Sequence, residues 1–291
     1  MTDFYPWNFL ALSDDLSGYE GSKAVVLPVP YEATTSFGGG CRNGPAAIIS
    51  ASRQVETYDQ ELGFEPCRVG IATLPEIEQE ASGPEAMMAK IESVASEIIG
   101  AGKFLLSLGG EHSISAALVK AHKRKFQDLS VLQIDAHTDL RDEYQGSRYS
   151  HACVMSRVWE VCGFAGVGIR SFCGSELEHR ALVEKRIISV SDLRRNRDTI
   201  PLMLSMLTDN VYITFDLDGF DPSVMPAVGT PEPGGLLWEE AMEILEDVAR
   251  SKKIVGADIV ELSPVPGLIH PDFTAARLAY KIITMAFYGQ N

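Results

Sequence analysis

Leu132-Gln-Ile-Asp135-Ala-His137-Thr-Asp139 is an apolar, strand-forming run that ends in three metal-competent side chains. Residues two apart in extended backbone point to the same side. If the extended course continues, Asp135, His137 and Asp139 converge with little rearrangement. Taken alone, the stretch also reads as a polar turn after a buried strand, since Asp-rich turns are common. Two further segments decide the matter. Thr214-Phe-Asp216-Leu-Asp218-Gly-Phe-Asp221-Pro222 repeats the arrangement, and Leu108-Gly-Gly-Glu111-His112-Ser113 also follows an apolar run. Three such coincidences point to one metal site built from several strand ends.

Outward from this stretch, apolar β-branched runs alternate with helical segments. Strands are expected at 24–29, 69–72, 104–108, 131–134, 165–169, 187–190, 211–215 and 254–260. Helices are expected from about Pro45 and over 84–100, 113–125, 152–161, 175–185, 192–207, 238–251 and 273–288. Such alternation implies a parallel sheet with helices on both faces. No linker, charge block or repeat divides it, so one domain over 1–291 is expected. The segments carrying His112, Asp135 and Asp216 each begin just beyond the C-terminal end of an expected strand, and Glu261 does likewise. Ligands gather at that edge in open parallel sheets, and an eight-stranded barrel would also place its loops on one face.

The 291 residues suffice for a large core. The formal charge, 25 − 40 = −15, argues against nucleic acid, which needs a basic surface, and mildly favours a cationic substrate. The cysteines Cys41, Cys67, Cys153, Cys162 and Cys173 are odd in number and form no C-x-x-C pair. The start Met1-Thr-Asp-Phe-Tyr-Pro-Trp7 lacks the basic and apolar regions of a secretion signal. No apolar run approaches the roughly 18–20 residues of a membrane span. A cytoplasmic protein with packed thiols and no membrane partner is the expectation.

The candidate ligands are His112, Asp135, His137, Asp139, Asp216 and Asp218. This oxygen-rich, thiolate-free set suits Mn²⁺ or a similar ion better than structural zinc. It exceeds what one small ion usually receives from protein, so two ions about 3.5–4 Å apart, sharing carboxylates, fit better. The four carboxylates also balance the charge of two divalent ions. On their own, Glu261 reads equally as a solvent-facing strand-end glutamate, and His151 as a structural loop histidine.

The ordered set Gly109-Gly110-Glu111-His112-Ser113, Asp135-Ala136-His137-Thr138-Asp139 and Asp216-Leu217-Asp218-Gly219-Phe220-Asp221-Pro222 resembles that of the ureohydrolase family of arginases, agmatinases and relatives. The resemblance extends from about Val25 to the C-terminal helix. It implies a three-layer α/β fold with an open, roughly eight-stranded, mostly parallel sheet. It also implies two Mn²⁺ ions per chain, with Asp135 and Asp216 bridging. His112 and Asp139 would complete one ion, and His137 and Asp218 the other. Asp139, through its free oxygen, would also accept a hydrogen bond from the attacking water. Glu261 matches the carboxylate that holds guanidinium nitrogens, and His151 the acid/base histidine, although Ala152 stands where many relatives have Gly. Trimers or hexamers are implied as well.

The resemblance also bears on the substrate. Arginases follow the Asp-Ala-His-x-Asp motif with an Asn- and Ser-containing loop that recognises an α-amino acid. The stretch 140–150 here does not match it, and its Asp142 and Glu143 are expected to attract a distal ammonium. Agmatine is thus the leading substrate, cleaved to urea and putrescine in polyamine biosynthesis. N1-aminopropylagmatine, giving spermidine and urea, is a close second on the Tyr149-Ser-His151-Ala152 and Val260-Glu-Leu-Ser-Pro264 stretches. Guanidinobutyrate and formiminoglutamate fit an acidic loop less well. The six-ligand set speaks against a single-zinc amide deacetylase or a non-catalytic homologue. Gly38-Gly-Gly-Cys-Arg-Asn-Gly44-Pro45 lacks the ending of a phosphate loop and reads as a tight turn on the rim. The loop from Gly229 to Gly235 is expected beside the metals, Asp221 in a turn and His270 near the entrance. His122, His179 and the run 194–197 are expected to face solvent.

Overall fold

A computed structural model describes residues 5–174, 176, 185–196 and 198–288. Its strands are Ala24–Val29 (β1), Ile71–Thr73 (β2), Phe104–Gly109 (β3), Leu129–Ile134 (β4), Gly163–Val167 (β5), Ile187–Ile188 (β6), Asn210–Asp216 (β7) and Lys253–Val260 (β8). They form one eight-stranded sheet in the order β2-β1-β3-β8-β7-β4-β5-β6, and every neighbouring pair is parallel. Alternate residues feed two cores. Ala24, Val26, Val211, Ile213 and Phe215 pack with the helices Gly44–Ser52, Trp238–Ser251 and His270–Ala286. Val25, Leu27, Val131 and Tyr212 pack on the other face with the helices Pro84–Gly100, Ser115–Lys125 and Val154–Trp159. Burial on both faces is why the strands read as unbroken apolar runs. Proline lies in the first two positions of three of these helices, as Pro45, Pro84 and Pro271, where its missing N–H costs nothing.

The four strands that precede the site motifs, β3, β8, β7 and β4, are consecutive neighbours at the centre of the sheet. Their C-terminal ends therefore open into one crevice. No helix among the described residues is long and apolar enough to cross a membrane.

Three expectations are corrected. The single helix over 192–207 is two helices, Val190–Arg195 and Thr199–Met206, with Asn196 extended between them. Pro201 has no N–H to offer the carbonyl four residues back, so one continuous helix would break there. The strand expected at 69–72 begins at Ile71, after a 3-10 turn over Pro66–Val69. His122 does not face solvent but is fully buried. It continues the buried stripe of Leu118 and Val119 along its helix. Its ring lies 4.6 Å from the Tyr212 ring, and its Nδ1 is 2.8 Å from Leu118 O. A Cβ on Gly256 would come within 2.0 Å of its Nε2. The helix expected over 175–185, with His179, lies outside the described residues except for Glu176 and Lys185.

Burial pushes the His122 imidazole from its usual 6.5 down to about 4. Between these values the unfolded chain takes up a proton that the folded chain refuses. The stability present above pH 6.5 is therefore lost as pH falls towards 4, by on the order of 3 kcal/mol. Urea unfolding of the wild-type chain and of His122→Asn across pH 4–7 should give stability curves that differ by that change. Parallel curves would assign the acid sensitivity to other groups.

Candidate metal centre and active site

The regular β4 ladder ends at Ile134, the chain bends at Ala136 with an isolated parallel bridge from His137 to Ser171, and the expected extended course to Asp139 does not occur. His137 N instead donates to Asp135 Oδ1 at 2.6 Å, Ala136 N donates to Asp218 Oδ1 at 3.1 Å, and Asp139 turns the chain with φ +50°. Left-handed backbone at a non-glycine residue carries strain that the surroundings must hold in place. Here the Asp139 carbonyl accepts from Met155 N at 3.0 Å. The turn, rather than strand alternation, brings Asp139 to Asp135.

His112 follows β3 and is buried. Its Nε2 lies 2.8 Å from Thr214 Oγ1, whose hydroxyl donates to Asp258 Oδ1 at 2.7 Å. That chain leaves Nε2–H as the donor and a lone pair on Nδ1. Nδ1 is buried with no hydrogen-bond partner, yet faces Asp135 Oδ2 at 3.2 Å, Asp139 Oδ2 at 3.1 Å and Asp216 Oδ2 at 3.2 Å. His137 Nδ1 faces Asp218 Oδ2 at 3.0 Å and Asp135 Oδ1 at 3.7 Å. Two donor groups suited to a cation result, His112–Asp135–Asp139 and Asp135–His137–Asp218, and Asp135 belongs to both. Asp216 joins the first group through Oδ2, while its Oδ1 accepts from Asp218 N at 2.9 Å, so of the two carboxylates expected to bridge, Asp135 is the one found in both groups.

Electrostatics tell the same story. Burial by itself would lower the His112 pKa, but Asp135, Asp139 and Asp216 hold it well above its usual value. His137 behaves likewise beside Asp135 and Asp218. Burial, with Asp218 and Asp135 close by, pushes Asp216 well up. Asp135 is instead held below its usual value, against its burial, by His112 and His137. A buried cluster that draws protons onto both imidazoles and onto Asp139 and Asp216 needs positive charge. An orphaned Nδ1 among carboxylates offers divalent ions a fitting place.

Beside this cluster, Glu261 follows β8 with φ +67°, and its Oε1 accepts from His112 N at 2.7 Å. Burial pushes its carboxyl up to about 8, against that hydrogen bond. His151 opens a short turn before the helix Val154–Trp159. Glu261 and His151 line a cavity of about 280 Å³ together with His112, His137, Asp139, Asp216 and Asp218.

The chain matches the arginase family over residues 22–287. The chain belongs to the arginase family. Among curated relatives, it is 43% identical to an N1-aminopropylagmatine ureohydrolase of Thermus thermophilus, over 91% of this chain and 90% of that one. It is 39% identical to an N1-aminopropylagmatine ureohydrolase of Synechocystis, over 98% and 95%. Among solved structures, the agmatine ureohydrolase of Thermoplasma volcanium superposes with a TM-score of 0.89 at 33% identity, covering 99% of this chain and 98% of that one. The chain is thus a ureohydrolase, and its open eight-stranded sheet is the fold of this arginase family.

Asp142 and Glu143, expected at the site, do not reach it. Neither lines the cavity. Asp142 Oδ1 is held by Arg157 Nη2 at 2.6 Å and Arg148 Nη2 at 3.1 Å, and these bonds lower its pKa. Arg157 is nearly buried, while the acid it holds is mostly exposed. Arg141 and Tyr144 line the cavity in their place, the guanidinium 4.3 Å over the ring.

Sequence reading missed several residues around the site. Glu176 lines the cavity and ties the rim together, accepting from Thr138 Oγ1, Leu140 N and Cys173 N. Nothing in its flanking sequence marks it. Thr230 donates to Asp218 Oδ2 at 3.1 Å, and the Pro- and Gly-rich loop around it was its one signal. The half-buried Arg170 guanidinium donates to the carbonyls of Asp218, Gly219, Phe220 and Glu232, joining that loop to the ligand turn. Gly38 lies on the rim as expected, packed so tightly against Gly229 that a Cβ would come within 2.7 Å of its carbonyl oxygen. Asp221 closes a turn by accepting from Ser223 N and Gly234 N. His270 is exposed at a helix start, outside the cavity lining.

Proposed function

We propose that this chain hydrolyses the guanidinium group of N1-aminopropylagmatine to urea and a polyamine, with agmatine as a second substrate. The observation that carries the hydrolytic reading is Asp135, shared between one buried and one largely buried donor group beside Glu261. The names of relatives at 43% and 39% identity support the longer substrate. This reverses the order of the two substrates reached from sequence alone.

His112, Asp139 and Asp216 with Asp135 would hold one ion, and His137 and Asp218 with Asp135 the other. Oxygen-rich donors with two imidazoles favour Mn²⁺. When bound, such ions supply a water acidified enough to be a nucleophile near neutral pH. Glu261 receives guanidinium N–H groups and aims the carbon. A cation docked there opposes the burial that raises its pKa. Asp139 accepts a hydrogen bond from the attacking water, and His151 delivers a proton to the departing amine. Phe37, Tyr144 and Phe172 on the cavity wall offer apolar contact to the methylene chain and ring faces to its ammonium groups.

Urea release with Mn²⁺ from N1-aminopropylagmatine, agmatine, L-arginine and guanidinobutyrate tests this reading. The first should exceed agmatine in kcat/KM by about tenfold, since the added tail need supply only about 1.4 kcal/mol of transition-state binding. L-arginine should be poor. A preference for L-arginine overturns the substrate assignment, and failure to release urea from any of them overturns the hydrolytic one.

A further inference from the structure

We propose that Glu111 and Thr34 act as a positioning pair that fixes which ring nitrogen of His151 handles the proton. The inference rests on the acid/base reading of His151 and adds to it two residues with no metal or substrate contact. Glu111 is fully buried. Its Oε2 accepts from Ala33 N and Thr34 N, both at 2.6 Å. Its Oε1 lies 2.8 Å from Thr34 Oγ1 and 2.6 Å from Ser113 Oγ. Four donors converge on the group, so it acts as an acceptor at every contact and takes the single hydroxyl proton of Thr34.

The Thr34 oxygen then has only lone pairs to offer. His151 N donates to it at 3.0 Å, and His151 Nδ1 lies 3.2 Å away. Nδ1 therefore carries a hydrogen for Thr34. Ser150 Oγ, at 3.4 Å the more distant of its two hydroxyl neighbours, is itself able to accept. Nε2 is the nitrogen left for the cavity that His151 lines. The Tyr144 ring packs perpendicular to the imidazole, with centroids 6.1 Å apart. In the protonated ring, Nδ1–H stays on Thr34 and Nε2–H is the proton delivered to the departing amine. The ring is left as the Nδ1–H tautomer, with Thr34 and Glu111 unchanged, and regains a proton from the water consumed. Thr34 itself is absent from the cavity wall, which begins at Thr35, so it acts through His151.

The test compares Thr34→Val, Thr34→Ser and His151→Ala in the Mn²⁺-loaded enzyme. Thr34→Val keeps the shape and removes the hydroxyl. It should lower kcat roughly 10- to 100-fold, part of what an acid/base group contributes, with KM and bound metal unchanged. Thr34→Ser should restore kcat to within a few-fold. In the metal-free chain labelled with ¹⁵N-histidine, His151 should show the Nδ1–H tautomer in the wild type and a mixture in Thr34→Val. Unchanged kcat in Thr34→Val beside a crippled His151→Ala overturns the positioning pair alone. Unchanged kcat in His151→Ala overturns the acid/base reading as well. Loss of metal in Thr34→Val would overturn the pair by tracing its effect to the ligands.

Discussion

Replacing Asp135 with asparagine should cost the protein both of the proposed metal ions and lower urea release by on the order of 10³-fold or more, the scale set by losing a group that organises transition-state charge. The reason is geometric. Asp135 Oδ2 lies 3.2 Å from His112 Nδ1 and Oδ1 lies 3.7 Å from His137 Nδ1, so one carboxylate serves both donor groups. An amide at this position offers one neutral oxygen and brings a donor towards Gln133 Nε2, which already donates to Oδ2 at 2.9 Å. His112→Asn and His137→Asn should each lose a single, different ion, because each imidazole belongs to one group. Metal content per chain, measured by mass spectrometry after gel filtration, separates the three variants. Chelation should abolish activity and added Mn²⁺ should restore it. A fully active wild-type enzyme with one ion per chain would contradict the two-ion arrangement.

His151→Ala should keep both ions and slow turnover by roughly 10²- to 10⁴-fold. The ring is bonded to Thr34 rather than to the ligand carboxylates, so its loss leaves the cluster intact. What disappears is the proton for the departing amine, without which the intermediate returns to substrate. Single-turnover rates with saturating substrate, alongside metal content, measure this. Turnover equal to wild type would leave His151 a purely structural role.

The two variants probe parts of the site that differed in how readily they could be read. The six candidate ligand residues stood out because they lie in three short segments that each follow an apolar run, where clustered carboxylates and imidazoles have little local structural purpose. Glu261 and His151 needed the family resemblance, since one strand-end glutamate or one loop histidine has many ordinary uses. Asp142 and Glu143 misled for a related reason. Their distance along the chain from Asp139 was short, but Asp142 pairs with Arg157 and Arg148, and neither acid lines the cavity. His122 misled in the opposite sense, because the basic run after it concealed a place on the inner stripe of its helix.

Sequence by itself determined the layers and the edge at which chemistry occurs. Strand and helix periodicities are local, and parallel strands buried on both faces leave mainly their ends open to a ligand, the polar groups within them, such as Thr214 and Asp258, being bonded to one another. Tertiary structure alone decided which of those ends meet. The order β3-β8-β7-β4 sets four distant segments side by side, and Glu111 reaches 77 residues back to Thr34. Such contacts depend on packing between elements, which satisfies each buried donor and acceptor with whatever partner the fold brings near. Periodicity along one segment carries no information about that partner.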